Sequence, residues 1–264
     1  MGAVLVTGAF DDLGLRHVRL LHEASRVGPV IVHLWSDEEI LAATGAEPKF
    51  LLAERRYLAG SLRWVSAVAL TGEAHPKIDR VCVDVDGPKA EVSAAGAAAA
   101  ALHADLRELT ARELSGIPEL PLSPPDASRR RVVVTGCYDW LHSGHVRFFE
   151  EVAGYGELYV VVGHDANVRL LKGEGHPRFP MAQRRYMTGS VRHVHGALVS
   201  TGSGWMDAEP EIRSIGAHIY AVNEDGDKPE KREFCRTHGL EYLVLHRVPA
   251  AGLPRRSSTD LRGF

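Results

Sequence analysis

Two histidines stand three positions apart in the segment TGCYDWLHSGH, residues 135–145, directly after an apolar β-branched run. A glycine at the strand end, Gly136, lets the backbone approach a phosphate, and the helix that follows offers free N–H groups and the positive end of its dipole. At the start of that helix His142 and His145 face the same anion, and Gly144 between them leaves room for a nucleotide. The pattern favours in-line attack on an α-phosphate, catalysed by positioning and charge stabilisation.

The elements that must position this motif occur twice in the chain. Residues 4–24 read VLVTGAFDDLGLRHVRLLHEA and residues 132–152 read VVVTGCYDWLHSGHVRFFEEV, and both turn at Thr-Gly from a β-branched run into an amphipathic helix. The correspondence continues through further paired segments: VIVHL at 30–34 with LYVVV at 158–162, ERRY at 54–57 with QRRY at 183–186, and VDVDG at 83–87 with VNEDG at 222–226. We infer a tandem duplication.

Each copy alternates apolar runs with helical periodicity, which is typical of parallel β-α-β units. The sequence therefore predicts an α/β protein with two tandem Rossmann-like, doubly wound parallel-sheet domains. The alanine-rich segment Glu91–Leu114 predicts a helix, and the four prolines of Ser115–Ser128 predict an extended linker. The predicted boundaries are a degenerate first domain over 1–114, a linker over 115–128 and a catalytic second domain over 129–264.

Composition narrows the class of protein. The 264 residues are 45% hydrophobic and 25% charged, as in ordinary globular proteins, and the net charge of −3 disfavours nucleic acid as a partner. No apolar run approaches a membrane span, so we expect no membrane association. The three cysteines are widely spaced and form neither a CxxC pair nor a zinc set, which predicts a reduced, cytoplasmic compartment. No metal site is predicted, and any Mg²⁺ is expected on the phosphates of the nucleotide and on water.

The segment GCYDWLHSGH resembles the GxFDxxHxGH signature of the cytidylyltransferase-like nucleotidyltransferase superfamily, and the resemblance covers nearly all of 130–264. It implies transfer of a nucleotide from a nucleoside triphosphate to a small phosphorylated acceptor, with release of pyrophosphate. His142 and His145 are the implied catalytic residues; the alternative is a buried strand–helix turn with incidental histidines. The nucleotide-binding residues implied within the motif are Gly136, Cys137, Tyr138, Asp139 and Gly144, with Cys137 acting through its backbone N–H rather than its thiol.

Two further cations match the superfamily. Lys172, in LLKGEGHPRFP, is implied as a catalytic lysine that neutralises charge on the leaving pyrophosphate, against the alternative of a solvated loop lysine. Arg184, in QRRYM, resembles the arginine of the superfamily's ER motif and would bind phosphate. Read by itself, Arg184 fits an exposed helix arginine equally well.

The segment RRSSTDL, residues 255–261, resembles the RTxGISTT motif, whose hydroxyls at a helix N-terminus hold the β- and γ-phosphates. The implied nucleotide-binding residues are Arg256, Ser257, Ser258 and Thr259. If the hydroxyl-bearing residues are considered alone, a simple helix N-cap explains them equally well. The stretch between Arg247 and Ser257 is longer than usual in the superfamily, which leaves open which arginine reaches phosphate; we favour Arg256.

Three residues are candidates for binding the acceptor. Asp165 follows the second strand of its copy, at the carboxyl end of the sheet, where it would contact the acceptor, order the loop or cap a helix. Trp140 and Asn223 lie where the superfamily recognises acceptor or base, although Trp140 also fits a core aromatic.

The first copy lacks the same chemistry. Its motif reads GAFDDLGLRH, with Gly14 in place of His142 and Arg16 in place of Gly144, and only His17 is kept. No lysine is in register with Lys172. We predict a retained fold without catalysis, and we hypothesise that the chain works as an internal pseudo-dimer or as a homodimer.

The base and the acceptor stay open between two branches. The tandem arrangement and STDL resemble ethanolamine-phosphate cytidylyltransferases, although there the N-terminal copy is the active one. HVRFFEEV and LLKGEGHP resemble heptose-phosphate adenylyltransferases. CTP is favoured, with ATP and a sugar phosphate as the alternative. A non-catalytic nucleotide-binding regulator is the rival from another class, and the intact charge-stabilising positions of the second copy argue against it.

Overall fold

The structure is a computed structural model that describes residues 2–257. Ser258 and Thr259 of the predicted phosphate-binding turn therefore lie outside the described residues. The chain forms two compact units, Met1–Gly116 and Ile117–Phe264. Among residues 2–257, no helix is long and apolar enough to cross a membrane.

The first unit is a five-stranded parallel sheet with helices between its strands. Its strand order is β3-β2-β1-β4-β5. In chain order the elements are β1 (Ala3–Gly8), α1 (Leu15–Ser25), β2 (Val30–Leu34), α2 (Asp37–Thr44), α3 (Leu52–Gly60), β3 (Val65–Ala69), β4 (Ile78–Asp84), α4 (Lys89–Leu102), β5 (Asp105–Leu109) and α5 (Ala111–Leu114).

The second unit repeats this arrangement in the order β10-β9-β6-β7-β8, again with parallel pairing. Short 3₁₀ turns cover Gly204–Met206 and Glu224–Gly226. The main elements are β6 (Arg131–Gly136), α6 (Ser143–Ala153), β7 (Glu157–Val162), α7 (Asp165–Lys172), α8 (Met181–Gly189), β8 (Val194–Val199), α9 (Glu209–Ile215), β9 (Ile219–Asn223), α10 (Pro229–His238) and β10 (Glu241–Leu245).

The two sheets have the same topology once β6 to β10 are matched to β1 to β5. Central strands read as continuous apolar runs because both faces are covered, and Val132–Val134 and Leu158–Val162 are buried throughout. Helix α6 turns Val146, Phe149 and Val152 onto the sheet at helical spacing. The predicted α/β class is confirmed as two parallel five-stranded sheets.

The helix predicted over Glu91–Leu114 is wrong in its second half. Helix α4 ends at Leu102, His103 takes a left-handed conformation with φ of 50°, and β5 then pairs with β4. The segment DLREL fills the edge position that EYLVL fills in the second sheet. Ladder hydrogen bonds to β4 therefore override the helical tendency of the alanine-rich stretch.

The proline-rich segment predicted as a linker packs on the second unit. It contains no helix or strand from Ile117 to Asp126, yet the Asp126 N–H donates to Glu157 Oε1 at 3.0 Å. Side chains of Leu120 and Leu122 lie against Gly189 and Gly196, where a Cβ would come within 3.0 and 2.6 Å of them. The division between the units falls at Gly116, ahead of these contacts.

Candidate active site

The carboxyl ends of β6 and β9 frame two clefts in the second unit, at the point where strand order reverses and where open α/β sheets bind ligands. Cleft A, with a volume of about 200 Å³, is lined by Thr135–Asp139, His145, Phe148, Lys172, Ala221–Asn223, Asp225, Gly226 and Lys231. Cleft B is lined by Ser143, Gly144, Arg147, Phe148, Glu151, Asn223, His246–Ala250 and Leu253–Arg256. Phe148 and Asn223 border both clefts.

The two predicted imidazoles meet at the start of α6. Their ring centroids are 3.9 Å apart and their planes differ by 24°. His142 is the buried N-cap, and its Nδ1 accepts from the Gly144 N–H at 3.1 Å. Because Nδ1 accepts, a neutral His142 ring would carry its proton on Nε2, and His142 itself is not among the residues that line the described clefts A and B. The motif thus brings two imidazoles and a helix N-terminus together.

The pKa of the His145 ring is strongly perturbed in the folded protein. Burial lowers its pKa well below the usual value, and the neighbouring His142, Arg247 and Lys172 lower it further, against an opposing contribution from the Trp140 carbonyl. A negative charge placed against the ring would favour its protonated form. The imidazole can therefore accept a proton as charge arrives.

Acid should destabilise the folded protein through His145. Its folded-state pKa lies below the unfolded value of about 6.5, so the unfolded chain binds more protons as the pH falls from about 6.5 towards the folded pKa. Stability therefore rises with pH through that window. Burial is also the first cause of lowered pKa values at His17, His22, His33 and His193.

We expect a lower Tm at pH about 5 than at pH about 7.5, and a smaller difference for His145→Asn, which cannot take up that proton. Differential scanning calorimetry at both pH values measures the two differences. Equal pH shifts of Tm in wild type and variant would show that His145 does not titrate this way.

The loop before the histidines has a strained residue that requires a glycine nearby. Tyr138 is buried with φ of 50°, and a Cβ at Gly136 would lie 2.9 Å from its ring. The Tyr138 ring meets His145 edge-on, with centroids 5.2 Å apart. Phe10 takes the same left-handed conformation in the first unit, with φ of 48°. Gly136 and Tyr138 therefore hold the His145 ring in place.

Asp139 ties this loop to the segment before α8. Its carboxylate accepts from the N–H groups of Arg178 at 2.8 Å and Phe179 at 2.9 Å, and its side chain is largely buried while bordering cleft A. Asp11 of the first unit accepts from Lys49 and Phe50 in the same way, at 2.7 and 2.8 Å. The carboxylate is therefore an organising group in both units.

Arg184 lies behind cleft A, and it is not an exposed helix arginine because only 1% of it is accessible. Its guanidinium donates to Phe179 O at 2.8 Å and to Cys137 O, Gly163 O and Asp165 Oδ1 at 2.7 Å each. Each of the three guanidinium nitrogens thus already has a protein acceptor. The structure gives this side chain protein partners where we expected a phosphate.

Asp165 was expected to contact the acceptor, order the loop or cap a helix, and the structure shows it paired with Arg184. It is the first residue of α7 and pairs with Arg184, whereas the helix is capped by the His164 side chain, which accepts from the Asn167 N–H at 3.2 Å. Trp140 packs on Phe179, with ring centroids 5.9 Å apart, and is not among the residues that line the described clefts A and B.

Lys172 and Cys137 both line cleft A. Lys172 is the exposed last residue of α7, directly before the glycine-rich loop. Burial raises the pKa of the Cys137 thiol, so the thiol is a poor nucleophile, in line with the expected role for its backbone N–H. Asn223 ends β9 between the two clefts.

Arg247 is a site residue that the sequence reading missed. Its guanidinium donates to Arg256 O at 2.9 Å and to Asp225 Oδ2 at 2.8 Å, so it holds the C-terminal segment beside the loop after β9. A Cβ at Gly144 would lie 3.3 Å from Arg256 O, which brings that segment next to the histidines. Ser257 is the last described residue. The available signal was the position of Arg247 two residues after β10, at the carboxyl edge of the sheet.

Comparisons with known proteins agree with this geometry. A family profile described as cytidylyltransferase-like matches residues 133–262. The FAD synthase of Thermococcus kodakarensis is 32% identical over 133 residues, which cover 49% of this chain and 87% of that protein. The chain belongs to the cytidylyltransferase-like family.

Two other similar proteins match smaller shares of this chain. The bifunctional protein HldE of Methylococcus capsulatus is 36% identical over 100 residues, and the chain spans 20% of its length. The lipopolysaccharide core biosynthesis protein of Thermoplasma volcanium, a solved structure, matches 46% of this chain and 98% of that one, with 22% identity and a TM-score of 0.39.

The corresponding cleft of the first unit, about 300 Å³ in volume, is lined by Arg16, His17, Leu20, Asp84, Asp86, Gly87, Pro88 and Glu91. Arg16, at the position of Gly144, donates to Asp84 at 2.9 and 2.6 Å, and Asp84 stands at the position of Asn223. The carboxylate of Glu91 accepts from the Ala9 N–H at 2.9 Å. The first unit thus keeps a cleft at this place, but the Arg16 cation and the Glu91 carboxylate that line it are paired with protein groups.

No metal-binding group of three or more His, Cys, Asp or Glu side chains occurs among residues 2–257. The carboxylates that border cleft A are engaged by protein donors, Asp139 by backbone N–H groups and Asp225 by Arg247. The protein therefore offers few free ligands to a divalent cation, and phosphate oxygens and water would supply most of them.

Proposed function

We propose that the second unit transfers a nucleotidyl group from a nucleoside triphosphate to a small phosphorylated acceptor and releases pyrophosphate. The observation that carries this proposal is the stacked pair His142–His145 at the N-terminus of α6, where His145 lines cleft A and Ser143 and Gly144 line cleft B. Membership of the cytidylyltransferase-like family supports it.

In the proposed reaction a phosphate oxygen of the acceptor attacks the α-phosphorus in line. The new O–P bond forms as the bond to the α–β bridging oxygen breaks, and pyrophosphate leaves with that electron pair. No covalent enzyme intermediate is needed, so catalysis rests on positioning and charge stabilisation. His142, His145 and Lys172 stabilise charge on the transferring and leaving phosphates. Mg²⁺ bound to the nucleotide would neutralise further phosphate charge.

The C-terminal segment is proposed to hold the far end of the triphosphate. Ser257 follows Arg256, whose carbonyl lies beside Gly144, and the Arg247 guanidinium fixes that carbonyl. Ser258 and Thr259, by resemblance, would extend this contact to the β- and γ-phosphates.

ATP is the proposed nucleotide, with CTP as the second candidate. This chain spans most of the length of relatives that are named FAD synthases. FAD is an adenine dinucleotide. CTP is favoured by the description of the family and by the resemblance of the tandem motifs to ethanolamine-phosphate cytidylyltransferases.

Pyrophosphate release from the full chain tests the proposal. Each of ATP, CTP, GTP and UTP is paired with FMN, glycerol 3-phosphate, phosphoethanolamine and a sugar 1-phosphate. We expect release that needs both a nucleotide and an acceptor, with ATP giving the highest kcat/KM. Nucleotide binding without pyrophosphate release in any pair would support the regulator instead.

A further inference from the structure

Helix α10 brings a second lysine, Lys231, to the lining of cleft A, which Lys172 also lines. Lys231 is half-buried, its Nζ donates to Gly226 O at 3.0 Å, and it lies 6.0 Å from the centre of the Tyr220 ring. An ammonium group has three donors, so two remain available after the bond to Gly226. These donors belong to a side chain that lines the cleft.

The acidic groups near Lys231 are held by other partners. Asp225 accepts from Arg247 at 2.8 Å, and Asp227 pairs with Arg232 at 2.5 Å. Across residues 2–257, neither Lys172 nor Lys231 forms an ion pair. Burial lowers the pKa of Lys231 because the ammonium group is incompletely hydrated. Cleft A is therefore lined by two lysines that form no ion pair within residues 2–257, while its two carboxylates, Asp139 and Asp225, accept from other protein donors.

The first unit contains the complement of this arrangement. Its Glu91, on the helix that corresponds to α10, accepts from the N–H of Ala9, which corresponds to Cys137. In the register of VDVDG with VNEDG, Glu91 matches the exposed Glu230 and Val92 matches Lys231. In the first unit, the loop that corresponds to the Cys137 loop thus binds an anion that the protein itself supplies, the Glu91 carboxylate. In the second unit the helix supplies a cation instead.

We propose that Lys231 binds the phosphate monoester of the acceptor and makes the site select phosphorylated over unphosphorylated acceptors. The proposal rests on the proposed function and assigns cleft A to the acceptor. The acceptor phosphate lies between Lys231 and Lys172, beside the Cys137 N–H. Lys231 is thus a specificity-determining residue that the sequence motifs do not contain.

Lys231→Met in the full chain removes the charge and keeps most of the side-chain length. We expect the KM for the acceptor to rise about 10-fold or more, because a hydrogen-bonded charge contact is lost, while the KM for the nucleotide changes less than about twofold. Lys231→Arg should keep a KM near the wild-type value. The matched control is Arg236→Met, which removes an exposed cation from the same helix and should leave both KM values unchanged.

A rise in the nucleotide KM with an unchanged acceptor KM would overturn the assignment. If the wild type releases no pyrophosphate, the proposed function fails and binding decides this inference separately. Calorimetric titration with glycerol 3-phosphate, with glycerol as the uncharged control, should then show binding to the wild type that Lys231→Met loses. Equal binding to both proteins, or none to the wild type, would contradict it.

Discussion

His142→Ala and His145→Ala are each expected to lower kcat by roughly 10²–10³-fold, by analogy with loss of one preorganised donor. The two rings are stacked, so each variant removes half of a paired charge-stabilising group. His142→Ala also removes the N-cap of α6, at a cost of about 0.5–2 kcal/mol. His142→Asn separates these effects because asparagine caps helices well and lacks the imidazole.

Steady-state pyrophosphate release at saturating substrates measures the loss, and thermal unfolding reports the cap. We expect His142→Asn to unfold near the wild-type temperature and still show the loss in kcat. His17→Asn is the matched control, because His17 stands at the position of His145 in the first unit. Rates within about threefold of wild type for both second-unit alanine variants would refute the assignment of the histidines.

The sequence was informative where the site is local. Gly136, His142, Gly144 and His145 lie within one strand–turn–helix segment, and local spacing decides their geometry. Internal repetition made the fold predictable, because the two divergent copies show the same order of apolar runs and helical segments. Arg247 and Lys231 were harder because they reach the site through the strand order β10-β9-β6, which brings residues from far along the chain beside the motif.

The repeat also contained information that periodicity alone missed. If the copies correspond to their ends, the strand EYLVL at β10 must have a counterpart in the first copy. That counterpart is DLREL, which follows the alanine-rich helix. Propensity favoured one long helix there, while the edge of the sheet required a strand. A register carried through to the end of each copy would have located β5.

Arg184 shows why residue type does not decide a role. The same RR pair occurs in both copies, and a phosphate-binding arginine would have no function in a first copy without the other site residues. Arg55 donates to Phe50 O, Ala9 O, Trp35 O and Asp37, the equivalents of the Arg184 partners. A shared set of contacts in the unit that has the other site residues and in the unit that lacks them indicates a structural role.

Arg184→Met is therefore expected to destabilise the protein by roughly 3 kcal/mol or more, because it leaves buried carbonyl groups without donors. Asp165 is about a third exposed, so most of the loss comes from the bonds to Phe179, Cys137 and Gly163 rather than from the ion pair. Urea denaturation followed by circular dichroism measures the change. Arg185→Met, next to it on α8 and more exposed, is the control and should cost far less.

The kinetics of Arg184→Met distinguish support from phosphate binding. A supporting arginine should leave the nucleotide KM of the folded fraction within a few-fold of wild type, and Arg55→Met should destabilise the first unit similarly while leaving kcat unchanged. An arginine that binds phosphate would instead raise the nucleotide KM strongly at little cost in stability. That second result would require the guanidinium to leave its four protein acceptors when the nucleotide binds. The buried hydrogen-bond network argues against such a movement, because each abandoned carbonyl would need a new donor.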